Sequence, residues 1–459
     1  MTDIVDEQLA SQAAPVSLED EPEQLIVVSC YNRFDNLAHG PKGTEAKYGL
    51  YTFLLNPNDG QMVLLSVTKD PVQNSAFSRF HPSKNILYTC TESVVENGEV
   101  VSWEVFANGQ LRKLSSFDAG GTSTCYITLD KELQNMLVVN YWDATIHVLK
   151  LDGQTGVVEK KTSMYDPKEG REMYAKATKH VNHSLNDETA QKERQSDPHS
   201  HAVILDPFFG RIAYVPDLGK DLIRQFLYDD ATGTLHATGT VPSGPDGRAA
   251  LGPRYIEFHP TLPVCYVVNE LSSEVSVFEF NKDSAVNMVR MGPSKAWAAA
   301  PTLRLVQTVR TIPKAMPDEM NTCGRITVHP AGNFVLVSNR GHDSMAVFKV
   351  HHNDMEVPGM LTLANAHHSG GATPRHFAFD ESGQWLIAAN QDSDHVAIFS
   401  FNLATGNLVW TRNRYYVPSP NFVCSVRPHR ANKRLLSTEQ KPISEVVSAR
   451  VLDPVVQNV

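Results

Sequence analysis

Short hydrophobic runs separated by polar turns recur along this chain, and the sequence around them repeats. Residues 252–260 read Gly-Pro-Arg-Tyr-Ile-Glu-Phe-His-Pro and precede an apolar run at 264–269 and an alternating run at 275–280. The same order of features returns at 324–348 and at 373–399. Brief runs rich in Val, Ile, Tyr and Phe, bounded by turn residues, are typical of β-strands rather than helices. The pattern therefore predicts a chain built from repeated β units.

The units can be counted from the residue that ends each hydrophobic run. Aligning the units on this residue gives seven positions, which are Tyr31, Thr91, Asn140, Asp217, Asn269, Asn339 and Asn390. Each unit is expected to form an antiparallel sheet of about four strands, which is too small to bury both of its faces alone. Seven such sheets arranged around an axis predict an all-β fold, the seven-bladed β-propeller.

The two ends of the predicted ring each leave one strand without a partner. Residues 25–29 form an apolar strand that precedes the first complete hairpin, and residues 421–426 form a strand left over after the seventh unit. We predict that these strands pair in the first blade and close the ring by main-chain hydrogen bonds, since an unpaired edge is a liability. The propeller then spans 24–426, between a disordered acidic tail at 1–23 and a C-terminal tail at 427–459.

Charge and composition narrow the range of partners. The formal charge is −10, and residues 1–23 hold seven acidic and no basic residues, which leaves −3 (−10 less −7) for the rest. A nearly neutral body without a basic stripe argues against nucleic acid. No uninterrupted apolar window of about 18 residues exists, so no membrane span is expected. The first residues are acidic, unlike a secretory signal, and we expect a cytoplasmic protein.

Three features are candidates for a common site, because the innermost strands and the loops of a propeller converge on its channel. They are a histidine pair that leads into the fourth unit, an arginine before the first strand of each of the last three units, and a glutamate after a buried run. The residues are His199 and His201, Arg254, Arg325 and Arg375, and Glu270. In the other units the corresponding run is followed by residues of different types, which include Glu92, Tyr141, Leu218, Arg340 and Gln391. The arginines could instead pair with carboxylates between blades, and the histidines could be structural.

These residue types indicate chemistry on a small anion. Guanidinium groups bind carboxylate or phosphate in a bidentate manner, and they can stabilise negative charge that develops on a carbonyl oxygen. A histidine or glutamate among them can transfer a proton. The sequence leaves open whether the reaction is a hydrolysis or an isomerisation.

No metal or other cofactor is expected. Zinc needs three or four ligands, and the histidines that could join the pair, His180 and His183, lie in a polar excursion at 159–196. Residues 171–179 of that excursion could form one or two helical turns. A second excursion covers 283–323, and we predict that both rim one mouth of the ring. The six cysteines include no Cys-x-x-Cys pair and are expected to be reduced and buried.

Several short motifs together carry a resemblance to a known family. They are Asp-Pro-His-Ser-His at 197–201, Gly-Pro-Arg at 252–254, Val-Asn-Glu at 268–270, Val-Ser-Asn-Arg-Gly-His-Asp-Ser at 337–344, Thr-Pro-Arg-His-Phe at 373–377 and Ala-Asn-Gln-Asp-Ser at 389–393. Over about 25–426 the chain resembles the seven-bladed lactonases, which include bacterial-type 6-phosphogluconolactonases and fungal carboxy-cis,cis-muconate cyclases. The resemblance implies a metal-free channel site of His, Arg and Glu. It places the catalytic residues at His199 or His201, Arg254, Glu270 and Arg325, and substrate-binding residues at Arg340 and Arg375.

The resemblance favours a lactone hydrolase that acts on a small anionic sugar-acid lactone such as 6-phosphogluconolactone. In this hypothesis the arginines hold the phosphate and the carbonyl oxygen, while Glu270 or a histidine activates water. One alternative is a cycloisomerase that acts on a carboxymuconate, a polycarboxylate. Another is a non-catalytic propeller that binds a protein partner. The oligomeric state and the roles of the two tails stay open.

Overall fold

A computed structural model of the protein describes residues 24–167, 194–353 and 355–429. The predicted acidic tail, the predicted helical turns at 171–179 and all of the C-terminal tail beyond residue 429 lie outside these ranges. The described residues form seven four-stranded sheets, each with antiparallel neighbours. The first strands of most successive blades contact one another around a central channel. The prediction of an all-β, seven-bladed propeller is confirmed.

From the channel outward, the first blade contains β28 (Pro420–Val426), β1 (Leu25–Cys30), β2 (Leu50–Leu55) and β3 (Met62–Val67). The second contains β4 (Ser75–Phe80), β5 (Ile86–Thr91), β6 (Asn97–Val105) and β7 (Leu111–Thr122), and the third contains β8 (Thr124–Leu129), β9 (Asn135–Asn140), β10 (Ile146–Leu151) and β11 (Val158–Tyr165). The fourth contains β12 (Ile204–Leu205), β13 (Ile212–Asp217), β14 (Leu222–Asp229) and β15 (Thr234–Pro242). The fifth contains β16 (Pro253–Phe258), β17 (Val264–Asn269), β18 (Glu274–Phe280) and β19 (Leu303–Arg310). The sixth contains β20 (Thr322–Val328), β21 (Phe334–Arg340), β22 (Ser344–Val350) and β23 (Leu361–His368), and the seventh contains β24 (Pro374–Phe379), β25 (Trp385–Asn390), β26 (His395–Phe401) and β27 (Leu408–Tyr416).

Burial along the strands explains why the apolar runs lie where they do. Every residue of the second strand is buried in all seven blades, as in β17, which reads Val-Cys-Tyr-Val-Val-Asn. Outer strands such as β7 instead alternate between exposed and partly buried residues over most of their length. The second strand has neighbouring blades on both faces, so continuous hydrophobicity is favoured there, whereas the outer strand keeps one face in water. The core therefore lies between the blades.

The ring is closed in the first blade, as the leftover terminal strands predicted. Strands β1 and β28 are antiparallel neighbours, with Leu25 opposite Val426 and Ser29 opposite Phe422. Their hydrogen bonds join segments about 400 residues apart in sequence. We call the end of the ring at which the second strand of each blade finishes the upper end.

The first part of the predicted excursion at 283–323 lies away from the upper end. Helix α1 (Lys282–Met291) follows β18, and the chain then enters β19, so that Phe280 pairs with Leu303. Glu274, at the other end of β18, pairs with Asn269 at the upper end. Residues 282–302 therefore lie at the lower end, whereas residues 311–321, which join β19 to β20, lie at the upper end beside Ser273. The prediction that the excursion at 283–323 rims one mouth of the ring is thus wrong for its first part. The physical reason is the direction of β18. This strand runs from the upper end of the blade to the lower end, so the connection that follows it starts at the lower end.

Helix α1 packs on the fifth blade by its own local signals. The side chain of Asn281 caps the first turn by accepting a hydrogen bond from the Ser284 backbone. Ala285 and Met288 lie one turn apart and are buried among the apolar side chains of the fourth and fifth blades. Besides α1, residues 194–196 are helical, and short 3₁₀ turns occur at Phe34–Asn36, Ala296–Ala298, Asp318–Met320 and Gln391–Ser393.

Two further sequence expectations can be compared with the described residues. All six cysteines are free thiols, five of them buried and Cys424 partly buried, which confirms the expectation of reduced cysteines. None of the helices within the described ranges is both long and apolar enough to span a bilayer.

Candidate active site

A β-bulge near the upper end of the innermost strand re-aims one side chain in most blades. Register shifts mark this residue as Asn421, Ala76, Cys125, Arg254 and Arg375 in the first, second, third, fifth and seventh blades. In the fourth blade His201 holds the same position, next to the bridge between Ser200 and Asp217. All six of these residues line a single cavity at the upper end of the channel.

A second set of cavity residues comes from the upper ends of the second strands. These residues are Tyr31, Glu92, Tyr141, Glu270 and Arg340. They stand at or next to the positions on which the seven repeats align, where the side chains differ although the surrounding frame repeats. The structure thus brings together five of the predicted site residues, namely His201, Arg254, Glu270, Arg340 and Arg375.

The carboxylate of Glu270 is the centre of an ion-pair cluster. Oε2 of Glu270 lies 2.8 Å from Nε of Arg254, and Oε1 lies 3.0 Å from Nη2 of Arg340. A third guanidinium, that of Arg194, also donates to Oε1. Glu270 is 2% exposed, so both of its oxygens are occupied in a site from which water is largely removed.

The neighbouring charges determine which groups of this cluster are protonated at neutral pH. Burial by itself would raise the pKa of Glu270, but Arg194, Arg340 and Arg254 hold that pKa well below its ordinary value. Burial lowers the pKa of Arg340 to about 10 even though Glu270 opposes the change. At neutral pH the carboxylate is therefore ionised and the guanidinium of Arg340 is still protonated. A carboxylate of such low basicity is a poor proton acceptor and acts instead to hold the guanidiniums in place.

Arg194 is a functional candidate that the sequence pattern did not reveal. It lies where the chain returns from the excursion of the third blade, and its side chain lines the cavity. Nη1 of Arg194 is buried and has no hydrogen-bond partner within the described ranges. The repeats gave no signal for it, because the excursion has no counterpart in the other units.

Of the two predicted histidines, one lines the cavity and the other does not. The two rings contact Tyr141, with His199 stacked at 4.8 Å and His201 edge-on at 5.1 Å between centroids. His201 lines the cavity, whereas His199 lies behind Tyr141, with its Nδ1 3.1 Å from the Tyr141 carbonyl oxygen. Burial, followed by the charge of Arg254, lowers the pKa of His201 well below 6.5. His201 is therefore neutral near pH 7 and can accept or donate a hydrogen bond.

Arg325 does not join the other arginines, and its predicted place in the site requires a correction. In the sixth blade the bulge covers residues 324 and 325 opposite Ser338, so Gly324 takes the position that Arg254 has in the fifth blade. A side chain at Gly324 would come within 3.0 Å of the carbonyl oxygen of Arg375. Arg325 lies one residue deeper, pairs with Glu257 and does not line the cavity.

Arg325 occupies a position at which several other blades have aromatic side chains, and these side chains lie one residue deeper in the channel than the cavity residues. The equivalent residues of other blades are Phe422, Phe77, Tyr126, Tyr255 and His376. The centroid of Phe77 lies 4.4 Å from that of Tyr126 and 4.5 Å from that of Phe422, which in turn lies 3.8 Å from His376. Among these rings Tyr255 also lines the cavity.

Arg375 and Glu92 lie on the other side of the cavity from Glu270. Nη2 of Arg375 is 4.0 Å from Oε2 of Glu92, beyond hydrogen-bond distance. That oxygen accepts a hydrogen bond of 2.8 Å from the hydroxyl of Tyr31, whose ring lies under the Arg375 guanidinium. The Arg375 side chain is 12% exposed, and no hydrogen bond joins it to any residue that the structure describes. It is a buried cation whose donors are available to a ligand.

The cavity is lined by more positively charged than negatively charged side chains. Four guanidiniums and two carboxylates line it, so it carries an excess of positive charge that suits an anionic ligand. No group of three or more His, Cys, Asp or Glu side chains within the described residues is arranged to hold a metal ion.

We expect stability to fall as the pH drops below about 6.5. Burial lowers the pKa of His201 and of His376 well below that value, so the unfolded chain binds protons before the native one does. Each histidine then contributes a slope of about 1.4 kcal/mol per pH unit between its native pKa and 6.5, and its full contribution above 6.5. Urea unfolding near pH 7.5 and 5.5 measures the effect, and His376→Phe should make the slope shallower. Equal stability at the two pH values would contradict the prediction.

The fold is a seven-bladed propeller, and its candidate site is a buried cationic cavity at one end of the channel. Such a cavity is typical of a protein that binds a small molecule. The sequence profile described as "Lactonase, 7-bladed beta-propeller" matches residues 26–425. The chain belongs to this lactonase family, which confirms the resemblance carried by the motifs.

Two named relatives are similar to this chain in sequence over most of their own length. The 6-phosphogluconolactonase of Bacillus subtilis is 28% identical over 375 residues, covering 81% of this chain and 93% of the relative. The 6-phosphogluconolactonase of Formosa agariphila is 26% identical, covering 78% and 90%. The structure of the Pseudomonas aeruginosa periplasmic gluconolactonase is similar in fold, with a TM-score of 0.69, 21% identity and coverage of 88% of this chain and 99% of that one.

Proposed function

We propose that this protein hydrolyses a small anionic sugar-acid lactone of the 6-phosphogluconolactone type. The observation that carries the proposal is the cluster in which Glu270 holds Arg194, Arg254 and Arg340 beside a fourth arginine, Arg375, that has no hydrogen bond to the described part of the chain. An excess of buried guanidinium groups suits a substrate that carries a negative charge and develops another during the reaction. The names of the two curated relatives support the same substrate class.

Arg254 and Arg340 are suited to the carbonyl end of the lactone. A guanidinium has five N–H donors, and the contacts with Glu270 and with the Gly324 and Cys323 carbonyl oxygens leave donors on each. When water attacks the lactone carbonyl, charge develops on its oxygen, and a fixed donor at such a position contributes about 10²–10³-fold to the rate. Glu270 is a positioning residue in this scheme, because it keeps both guanidiniums in place.

Arg375 is suited to the remote anionic group, and His201 to the attacking water. The free guanidinium of Arg375 can form a bidentate pair with a phosphate or carboxylate. The neutral imidazole of His201 lies in the same cavity and can orient a water molecule by hydrogen bonding. The substrate would thus bind with its charged end at the seventh blade and its carbonyl at the fifth and sixth.

Turnover of purified protein tests the proposal. We expect hydrolysis of 6-phosphogluconolactone well above the spontaneous rate, followed by acid release in a pH-stat, and slower hydrolysis of uncharged glucono-1,5-lactone. Arg254→Met is the matched inactive control. A rate equal to the spontaneous one for both lactones would overturn the proposal. Ultraviolet loss of a carboxymuconate would then favour the cycloisomerase, and activity on neither would favour a binding propeller.

A further inference from the structure

Two carboxylates enter the cavity, and their oxygens differ in availability. Glu92 and Glu270 follow the second strands of the second and fifth blades, three blades apart in a ring of seven. They therefore approach the cavity from opposite sides. Both oxygens of Glu270 bind guanidiniums, whereas the side chain of Glu92 is held among the described residues through Oε2 alone, by Tyr31.

Oε1 of Glu92 is the available carboxylate oxygen in this cavity. Glu92 is 6% exposed, and within the described ranges no hydrogen bond reaches its Oε1. This oxygen belongs to a residue that lines the cavity, and it is placed to contact a ligand or water there. The Tyr31 bond fixes the rotamer of Glu92, since it holds the other oxygen at 2.8 Å.

We propose that Glu92 is the general base of the hydrolysis, an inference that rests on the proposed function. A carbonyl oxygen held by Arg254 and Arg340 near Glu270 would leave the carbonyl carbon in the cavity between Glu270 and Glu92, where one of its faces can be approached from the side of Glu92. A water molecule between Oε1 and that carbon is then placed to attack. Arg375 lies 4.0 Å from the far oxygen, too distant for a hydrogen bond that would engage the carboxylate.

The proton returns to the substrate in the second half of the reaction. Oε1 of Glu92 removes one proton from the water molecule as the water oxygen bonds to the carbonyl carbon. At the same time the electron pair of the C=O bond moves onto the carbonyl oxygen. The tetrahedral intermediate then collapses, the ring C–O bond breaks, and its electron pair moves to the ring oxygen, which takes the proton from Glu92. The product is an open-chain hydroxy acid, and its ionisation releases the proton seen in the pH-stat. Glu92 ends as a carboxylate, ready for the next turnover.

Glu92→Gln tests the base. The variant keeps an acceptor for Tyr31 but cannot take a proton, and we expect kcat to fall about 100-fold with KM within about threefold, since a general base contributes about 10²–10⁴-fold. Glu96→Gln, an exposed glutamate of the same blade, should keep the wild-type kcat. Should Glu92→Gln fail to fold, Glu92→Ser serves the same purpose, and added formate should restore part of its kcat. A structural role would not respond to formate.

The outcomes separate the two proposals. Wild-type turnover with an unchanged kcat in Glu92→Gln would overturn the assignment of Glu92 and leave lactone hydrolysis standing. A large loss in Glu92→Ser that formate does not restore would also overturn the assignment. Absence of wild-type turnover would overturn the proposed function and the assignment together.

Discussion

Glu270→Gln should reduce kcat/KM for the lactone by about 10³-fold or more and destabilise the protein. Three guanidiniums meet at this carboxylate, and its loss leaves them buried with no counter-charge. Removing one partner of a buried ion pair costs about 3–5 kcal/mol. The arginines would also move apart by mutual repulsion, so that the donors aimed at the carbonyl oxygen are lost. Steady-state kinetics and urea unfolding at neutral pH measure the two effects.

A surface glutamate of the same blade supplies the control. Glu279 pairs with Arg304 where both side chains are exposed, and Glu279→Gln should change the free energy of unfolding by less than about 1 kcal/mol. Adding Arg194→Met to Glu270→Gln should restore part of the lost stability, because fewer like charges remain. If Glu270→Gln were as stable and active as the wild type, the ion-pair cluster would have no functional role.

Arg375→Met should lower kcat/KM for 6-phosphogluconolactone by about 10²–10³-fold, mostly through KM. A charge-assisted hydrogen bond contributes about 1.5–3 kcal/mol, a bidentate pair more, and about 1.4 kcal/mol corresponds to a factor of ten. The same variant should hydrolyse uncharged glucono-1,5-lactone at a rate within about threefold of the wild type, because that lactone has no phosphate to bind. Parallel kinetics with the two lactones give the ratio.

Stability gives Arg375 a second signature. Within the described residues this buried cation has no hydrogen bond and is balanced by the Tyr31 ring and a carboxylate 4.0 Å away, so Met should change the free energy of unfolding by less than about 1 kcal/mol. Arg414→Met, on the outermost strand of the same blade where Arg414 stacks on Trp410, should leave both KM values unchanged. A loss of more than about 1 kcal/mol in Arg375→Met, with KM unaffected, would show that Arg375 is structural.

The sequence predicted the fold well because the fold is repetitive. Each blade has the same sequence of buried and exposed positions, so one aligned residue per unit gave the count of seven and the strand left over at each end. The same periodicity located Arg254, Glu270 and Arg375, because equivalent positions of a ring face a common axis.

The errors fall where periodicity gives no information. Arg325 looks equivalent to Arg254 in the sequence, but the bulge of the sixth blade puts Gly324 at that position. A shift of one residue along a strand turns a side chain to the other face, and it moves Arg325 out of the cavity. Arg194 was missed for a related reason, since it returns from an excursion that no other unit shares.

The sequence by itself determined the ring, its closure and the residue types that converge at one end of the channel, because these follow from a repeated pattern of burial. Only the tertiary structure decided which carboxylate is engaged and which is available. Glu270 and Glu92 occupy the same position in two blades, yet one meets guanidiniums from other parts of the chain and the other meets a phenol. Ion pairing across blades depends on distances in space that no spacing along the chain encodes.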